Sequence, residues 1–98
     1  MLEILKSETF DDWLSNLRDS KARARILTRI DRLACGNPGD VKAVGRGVSE
    51  MRIDYGPGYR VYYQQRGSVV ALLLCGGDKS TQDRDIQRAI EISQEWKG

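Results

Sequence analysis

The sequence predicts an α+β fold with a small, mainly antiparallel sheet, and three observations support this expectation. Three strand-like runs, separated by turn residues, occupy positions 47–80. Apolar residues at helical spacing mark two neighbouring segments before these runs and one segment after them. A short apolar run opens the chain, so the order is strand, two helices, a group of strands and a last helix. Two helices so close in sequence should form a hairpin that covers one face of the sheet.

The N-terminal segment is expected to contribute a strand over positions 2–5, at an edge of the sheet or next to it, followed by a helix. Thr9 is the predicted N-cap of this helix, with an acidic first turn after it. The apolar face has residues at i, i+3, i+4 and i+7, namely Phe10, Trp13, Leu14 and Leu17. This spacing favours a core role for Trp13.

The second helix is predicted to begin at Asp19 and to end near Cys35, because a Gly-Asn-Pro turn follows at 36–38. Its apolar positions share helical spacing: Ile26, Leu27, Ile30, Leu33 and Ala34. Basic residues cover much of the remaining surface, namely Lys21, Arg23, Arg25, Arg29 and Arg32. Each arginine could belong to a solvated face, whereas as a set they could contact ribosomal RNA or an acidic protein.

The central stretch is predicted to form three strands joined by tight turns. Alternation over 48–54 and the β-branched and aromatic residues of 59–65 indicate two strands, joined by a Tyr-Gly-Pro-Gly turn at 55–58. The almost unbroken apolar run 69–75 suits a strand that is buried on both faces. The preceding segment, 39–47, is predicted to be either a short strand or a mobile loop.

The last helix is expected to follow a sharp chain exit at 76–79. Ser80 is its predicted cap, with Asp83 as a capping-box-like partner three residues later. The inner face follows helical spacing and consists of Ile86, Ala89, Ile90 and Ser93, with Trp96 as an extension.

Composition excludes several kinds of chemistry. At 98 residues the chain is long enough for one domain with one small core. It contains no histidine, which excludes His-based triads and two-histidine ribonuclease schemes. Its two cysteines cannot supply a zinc tetrad without histidine, so we expect free buried thiols, no metal and no cofactor. Acid–base chemistry must then use Glu, Asp, Lys, Tyr or an Arg with a shifted pKa.

Charge and hydropathy predict a soluble protein with an anionic partner. The start of the chain lacks a basic leader, and no apolar run approaches the length of a membrane span. The low cysteine content suggests a cytoplasmic location. The net charge is +2, but residues 15–66 contain 11 Lys or Arg against 5 Asp or Glu. This asymmetry suits a polyanion or an acidic protein.

The polar side of the predicted sheet carries a charged group. Glu50 and Arg52 lie on one strand, Arg60 and Tyr62 lie on the next, and Lys79 follows the third. RNA cleaves itself when its 2′-OH attacks the adjacent phosphorus, provided that a base takes the proton and cations neutralise the phosphate. The guanidinium fork of arginine matches phosphate oxygens. These residues could therefore form a ribonuclease site that needs no metal ion.

Two segments, GVSEMRIDYGPGYRVYY at 47–63 and LLLCGGDKSTQDRDIQRA at 72–89, resemble the RelE/ParE superfamily of toxins from bacterial toxin–antitoxin modules. The resemblance spans nearly the whole chain and is closest to the small HigB-like branch, the addiction-module killer proteins. It implies a RelE-like fold, an antitoxin partner and one of two activities. RelE-like members cut messenger RNA at the ribosome, whereas ParE-like members poison DNA gyrase.

The resemblance also implies roles for individual residues. Arg60 matches the arginine of the Tyr-Arg step in RelE-like toxins, which implies that it clamps the phosphate. Arg52 and Glu50 stand where RelE carries lysines, and Asp85 stands nearest to its catalytic tyrosine. We expect Lys79 to stabilise charge or to protonate the leaving group. Glu50 could serve as the general base if burial raises its pKa.

RNA contacts are also expected outside the charged group. Bases could stack on three tyrosines of the turn and the second strand, namely Tyr55, Tyr59 and Tyr62. Arg46 could approach a phosphate from its glycine-flanked loop. Structural roles are the alternative, since Arg60 could pair with Glu50 or Asp54, and Tyr59 or Tyr63 could belong to the core.

Four arginines of the second helix are the candidate antitoxin contacts: Arg23, Arg25, Arg29 and Arg32. The leading hypothesis is a toxin that cleaves mRNA, free or on the ribosome, and that an antitoxin holds inactive. The alternative is a ParE-like, non-catalytic inhibitor of gyrase. A third reading is an interaction module whose site has decayed.

Overall fold

The structure is a computed structural model that describes residues 1–96. Over these residues the chain forms five strands and three helices. In chain order they are β1 (Glu3–Lys6), α1 (Glu8–Ser15), α2 (Ser20–Ala34), β2 (Val41–Gly45), β3 (Val48–Ile53), β4 (Tyr59–Arg66), β5 (Val70–Asp78) and α3 (Gln82–Glu95). A 3-10 turn, Lys79–Thr81, joins β5 to α3. The predicted α+β fold is confirmed.

The strands form one sheet in the order β1-β5-β4-β3-β2. β1 runs parallel to β5, whereas the other neighbouring strands are antiparallel, so the expected mainly antiparallel sheet is confirmed. β1 lies at one edge and β2 at the other, which means that the segment 39–47 contains a strand. The pairing of β2 with β3 shifts register between Ala43 and Gly45. Such an irregular edge discourages pairing with another chain.

Helices cover both faces of the sheet. On one face α1 and α2 enclose a core that includes Phe10, Ile26, Met51, Val61 and Leu73. On the other face α3 packs over a second core, which includes Val48, Tyr62, Leu72, Leu74 and Ala89. Successive residues of β5 belong to different cores, so this strand is buried on both faces, as its apolar run predicts. The two N-terminal helices thus cover the same face of the sheet, as predicted.

The two N-terminal helices start at side-chain caps. Asp19 caps α2 as expected and accepts hydrogen bonds from two backbone N–H groups of the first turn, at 3.0 and 3.2 Å. The predicted cap of α1 at Thr9 is wrong, because Ser7 takes this role. The Ser7 hydroxyl accepts a hydrogen bond from the Phe10 N–H at 2.9 Å and donates one to the Leu74 carbonyl. One hydroxyl thus starts the helix and ties it to β5.

The last helix begins later than expected. Asp78 caps the 3-10 turn by accepting a hydrogen bond from the Ser80 N–H at 2.8 Å. α3 starts at Gln82 without a side-chain cap, so the predicted cap at Ser80 and its partner Asp83 are wrong. Ala89 and Ser93 of the predicted inner face are buried, and Ile92, which was not predicted, is buried with them.

Gly76 and Gly77 belong to β5 instead of forming the expected chain exit. A Cβ atom at Gly76 would overlap the indole ring of Trp13, and one at Gly77 would overlap the Asp85 carboxylate. Glycine is needed at both positions because side chains of α1 and α3 approach the strand this closely. The strand therefore continues to Asp78 and places Lys79 at its end.

Both cysteines are free thiols, as expected. Only Cys75 is buried, however, because Cys35 lies exposed at the C-terminal end of α2. Burial raises the pKa of the Cys75 thiol to about 12. In the described part of the chain, no helix is long and apolar enough to cross a membrane.

Replacing Gly76 by alanine should lower the free energy of unfolding by about 1–3 kcal/mol, the typical cost of overpacking a core. The added methyl group would press on the Trp13 ring, so the loss should shrink in a Trp13→Leu background. Urea denaturation of both single variants and the double variant measures this coupling. Equal losses from Gly76→Ala in the two backgrounds would contradict the close approach.

Candidate functional site

An open hollow of about 390 Å³ lies where β3 ends and β4 begins. Three cationic and two acidic side chains line it, namely Arg52, Arg60, Lys79, Asp40 and Asp54. The turn 56–58 closes one side. The structure thus brings three of the four predicted catalytic residues, the cations, to one solvent-accessible surface.

The strand register explains why these cations meet. Arg52 on β3 pairs directly with Arg60 on β4, and Arg60 pairs with Gly77 on β5. Lys79 follows two residues after Gly77, just beyond the end of β5. Like charges directly opposite each other on neighbouring strands are destabilising. The pairing of two arginines therefore requires a compensating negative charge.

Arg60 is held in a fixed position by the backbone beside it. Its Nη1 donates hydrogen bonds to the carbonyls of Gly58 and Tyr59 at 3.2 and 3.4 Å, and only 14% of the side chain is exposed. Gly58 has a φ of 83°, which side chains rarely tolerate. A Cβ atom there would lie 3.5 Å from both Arg60 Nη1 and Lys79 Cβ, so both residues pack beside Gly58.

Glu50 supplies the compensating charge from inside the protein. Its side chain is fully buried, and its Oε1 accepts a hydrogen bond from Arg52 Nε at 3.2 Å and lies 3.8 Å from Arg60 Nε. Its Oε2 accepts hydrogen bonds from the Tyr62 hydroxyl at 2.9 Å and from Gln82 Nε2 at 2.7 Å. The carboxylate therefore joins β3, β4 and the start of α3. Of the two acids considered as partners of Arg60, the structure pairs it with Glu50.

The expectation that burial raises the pKa of Glu50 is wrong. Burial alone would raise the pKa of this carboxyl. The hydrogen bonds from Gln82, Tyr62 and Arg52, with the charge of Arg60, outweigh burial, so the pKa of Glu50 lies below its ordinary value of 4.5. A weakly basic carboxylate with both oxygens engaged is poorly suited to take a proton from a 2′-OH.

The three candidate tyrosines occupy different environments. Tyr62 is fully buried and hydrogen-bonded to Glu50, so the expectation that a base stacks on it is wrong. Burial is also the main cause of a raised Tyr62 pKa, with the hydrogen bond to Glu50 next. Tyr59 packs its ring edge-on against Trp13, with centroids 6.3 Å apart, and is only partly accessible. Tyr55 is half-buried, and the Arg25 guanidinium lies 4.7 Å from its ring centroid.

Arg46 lies away from the hollow. It belongs to the turn before Val48, which pairs with Gln64, whereas the hollow begins at the Arg52–Arg60 pair. The two pairs are four positions apart along the strand, which corresponds to about 13 Å. The carbonyl of Arg46 accepts a hydrogen bond from Gln64 Nε2 at 3.2 Å. The structure therefore does not bring Arg46 together with the other candidate RNA contacts.

A second depression, of about 540 Å³, follows the outer side of α2. We call it the α2 groove; its charged lining residues are Lys21, Arg25, Arg29, Arg32 and Asp54. It shares Ile53 and Asp54 with the hollow, so the two depressions adjoin. Arg23 lies outside the lining of the groove and donates a hydrogen bond to the Leu17 carbonyl.

Arg29 is the groove residue with the strongest internal ties. It donates hydrogen bonds to the backbone carbonyls of Arg52, Pro38 and Asp40 at 2.5, 2.9 and 3.3 Å. Its guanidinium thus ties α2 to the end of β3, which is a structural role. Arg25 and Arg32 are exposed and line the groove, so they are the predicted arginines best placed to meet a partner.

Asp85 takes part in the packing of α3. Its Oδ2 accepts a hydrogen bond from Thr81 Oγ1 at 2.5 Å, and its carboxylate faces the Cα of Gly77. It stands where the resemblance places a catalytic tyrosine, but it does not line the hollow. Within residues 1–96, no group of three or more Cys, Asp or Glu side chains could hold a metal ion.

Sequence reasoning missed two features of this site. Gln82 bonds Glu50 from the first position of α3, and no local pattern marks a glutamine as the partner of a residue 32 positions away. Asp40 lines the hollow from the loop before β2. Asp54, which the sequence offered only as a partner of Arg60, also lines the hollow.

Comparison with known proteins gives two similarities. The family model described as "Phage derived protein Gp49-like" matches residues 12–96, which include every residue of the hollow and of the α2 groove. The chain is also similar to an uncharacterized protein of Haemophilus influenzae. The two are 52% identical over 94 residues, which cover 96% of this chain and 95% of the relative.

The low pKa of Glu50 should make the protein sensitive to acid. Because the pKa is lower in the folded chain than in the unfolded chain, the carboxylate stabilises the fold above about pH 4.5, and this contribution is lost as the pH falls through the folded value. The Glu50→Gln variant should lose about 3 kcal/mol of unfolding free energy at neutral pH, because the largely buried Arg60 loses its partner charge. Its unfolding free energy should then fall less steeply than that of the wild type below about pH 5.

Denaturant titrations at a series of pH values measure how steeply the unfolding free energy of each variant depends on pH. Glu91→Gln is the matched control, since Glu91 is an exposed acid whose ion pair with Arg88 spans 3.8 Å at the surface. If the unfolding free energies of the wild type and Glu50→Gln fall equally steeply below about pH 5, Glu50 has the same pKa in the folded and unfolded chain, contrary to this prediction.

Proposed function

The chain belongs to the Gp49-like family, a RelE-like toxin family of addiction modules, and we propose that its toxic activity is cleavage of messenger RNA at the hollow. The family implies an antitoxin partner. A HigB-like identity and an RNA target, free or on the ribosome, are part of the proposal. Cleavage gives a 2′,3′-cyclic phosphate and a 5′-hydroxyl.

One observation carries this proposal: two arginines occupy directly opposite strand positions at an open hollow, with Lys79 beside them. A buried carboxylate offsets their repulsion, although an apolar pair would avoid this cost. Guanidinium groups match the oxygens of a phosphodiester and stabilise the charge that develops during in-line attack. This arrangement supports anion binding more directly than it supports a flat protein-binding surface.

The cations have distinct roles in the proposed reaction. Arg60, fixed by the backbone, and Arg52, at the mouth of the hollow, bind the non-bridging phosphate oxygens. Lys79 is exposed and, as an ammonium group, gives a proton to the departing 5′-oxygen. The 2′-oxygen forms the new bond to phosphorus as the bond to the 5′-oxygen breaks.

A carboxylate of the hollow takes the proton from the 2′-OH in this scheme. Glu50 is unsuitable, because its pKa is low and its two oxygens are engaged. Asp40 and Asp54 are the acidic side chains that line the hollow, so one of them has this role. Tyr55 lies just before the turn 56–58 and is the tyrosine we propose for base stacking.

The α2 groove is our proposed contact surface for the antitoxin. Four basic side chains and one acidic side chain line it, so it suits an acidic segment that becomes ordered on binding. Arg25 and Arg32 provide the exposed positive charge, while Arg29 stabilises the wall of the groove. Arg23 falls outside this proposal because its guanidinium lies elsewhere.

Replacing Arg60 by glutamine, or Lys79 by alanine, should each reduce RNA cleavage about 10²–10³-fold, the usual effect of removing one donor that stabilises transition-state charge. Arg88→Gln is the control, because Arg88 is exposed on α3 and pairs with Glu91. The measurements are cleavage of an RNA oligonucleotide in vitro and mapping of new mRNA 5′ ends after induction in cells.

Two outcomes would count against the nuclease proposal. If Arg60→Gln and Lys79→Ala both arrest growth as strongly as the wild type, the hollow is not the site of the toxic activity. Intact messages together with DNA-damage signalling would favour gyrase inhibition.

Reversing the charge of the α2 groove should weaken the antitoxin complex without affecting cleavage. We expect Arg32→Glu to lower the affinity about tenfold, which corresponds to about 1.4 kcal/mol. The loss should diminish as salt is added, because the charges are exposed. Arg18→Glu is the matched control, since Arg18 lies between α1 and α2, outside the groove lining. Titration calorimetry with the purified antitoxin measures the affinity of each variant. Equal affinities for Arg32→Glu and Arg18→Glu would refute this contact surface.

A further inference from the structure

One carboxylate oxygen at the hollow has two arginine neighbours. Glu50 Oε1 accepts a hydrogen bond from Arg52 Nε at 3.2 Å. Arg60 Nε lies 3.8 Å from the same oxygen, too far for a normal hydrogen bond. Arg60 Nε is buried and has no hydrogen-bond partner among residues 1–96. Buried donors are nearly always satisfied, so this one requires an explanation.

The two arginines differ in their freedom to move. Arg52 is 35% exposed and lines the hollow. Its Nε donates a hydrogen bond to Glu50 Oε1. Arg60 is 14% exposed, and its Nη1 is bonded to two backbone carbonyls. An anion that enters the hollow would therefore reach Arg52 readily and could draw it outward, whereas the Nη1 bonds of Arg60 to the backbone limit that guanidinium to a small adjustment.

The other oxygen of the same carboxylate prevents Glu50 from following Arg52. Oε2 is bonded to Tyr62 on β4 and to Gln82 on α3, neither of which lines the hollow. If Arg52 turned outward, the buried carboxylate would lose its nearest cation, an unfavourable state. A movement of Arg60 Nε by about 0.9 Å would restore a normal hydrogen bond to Oε1.

We propose that Glu50 is a positioning residue whose Oε1 changes partner, from Arg52 to Arg60, when an anion occupies the hollow. The exchange satisfies the buried Nε of Arg60 and leaves the Arg52 guanidinium free to bind the anion. It rests on the proposed function in that the natural anion is the scissile phosphodiester. The exchange itself depends only on phosphate charge in the hollow.

Nuclear magnetic resonance of the full-length, ¹⁵N-labelled chain can test this exchange through the arginine Nε–H signals. The Arg52→Lys and Arg60→Lys variants identify the two signals by their disappearance. The probe is inorganic phosphate, with sodium chloride at equal ionic strength as the reference. Phosphate should slow hydrogen exchange at Arg60 Nε about two- to tenfold, as a hydrogen bond of ordinary net strength would, and should speed it at Arg52 Nε.

Two variants separate positioning from a merely structural role. In Glu50→Gln, phosphate should no longer slow exchange at Arg60 Nε, because the anionic acceptor is gone. Glu91→Gln makes the same chemical change at an exposed acid and should leave the response intact. In Gln82→Leu the response should be reduced but present, because Oε2 keeps the bond from Tyr62. An Arg60 signal that phosphate leaves unchanged, or a response retained in Glu50→Gln, would overturn the proposal.

The result is independent of the proposed nuclease activity. A wild-type protein that cleaves no RNA but shows the phosphate-dependent change at Arg60 would support the exchange and refute the nuclease. A protein that cleaves RNA but whose Arg60 signal does not respond to phosphate would support the nuclease and refute the exchange.

Discussion

The burial of one ionised carboxylate, that of Glu50, is the constraint on which the candidate site depends. Arg52 and Arg60 face each other across neighbouring strands, where two like charges would repel. A buried charge is stable only if it is paired and fully hydrogen-bonded, and Glu50 meets this condition with partners from β3, β4 and α3. The cost of burying Glu50 and the cost of pairing two arginines therefore offset each other.

The glycine pair of β5 extends this arrangement to the third cation. Gly76 and Gly77 let Trp13 and Asp85 approach the strand from α1 and α3, so the strand stays extended beneath both helices. Gly77 then lies opposite Arg60, and the chain leaves the sheet at Lys79. A bulkier residue in this pair would move the strand end and the lysine with it.

Much of the fold could be predicted from the sequence, because apolar periodicity determines which faces are buried. The same reasoning placed Glu50, Arg52, Arg60 and Tyr62 on one side of the sheet and grouped Lys79 with them in one candidate site. It could not show that α3 packs over part of that side, since the position of a helix over a sheet depends on long-range contacts. For this reason it placed Glu50 and Tyr62 on the polar side without showing that both are fully buried.

The position of the hollow beside the α2 groove suggests how an antitoxin could control the activity proposed here. Both depressions are lined by Ile53 and Asp54, so a segment that fills the groove ends at the rim of the hollow. Arg29 strengthens this connection, because it bonds α2 to the backbone carbonyl of Arg52, next to the guanidinium proposed to bind RNA. An acidic segment in the groove would thus place negative charge close to the phosphate site and repel RNA. Inhibition would then require neither a change of fold nor direct contact with Lys79.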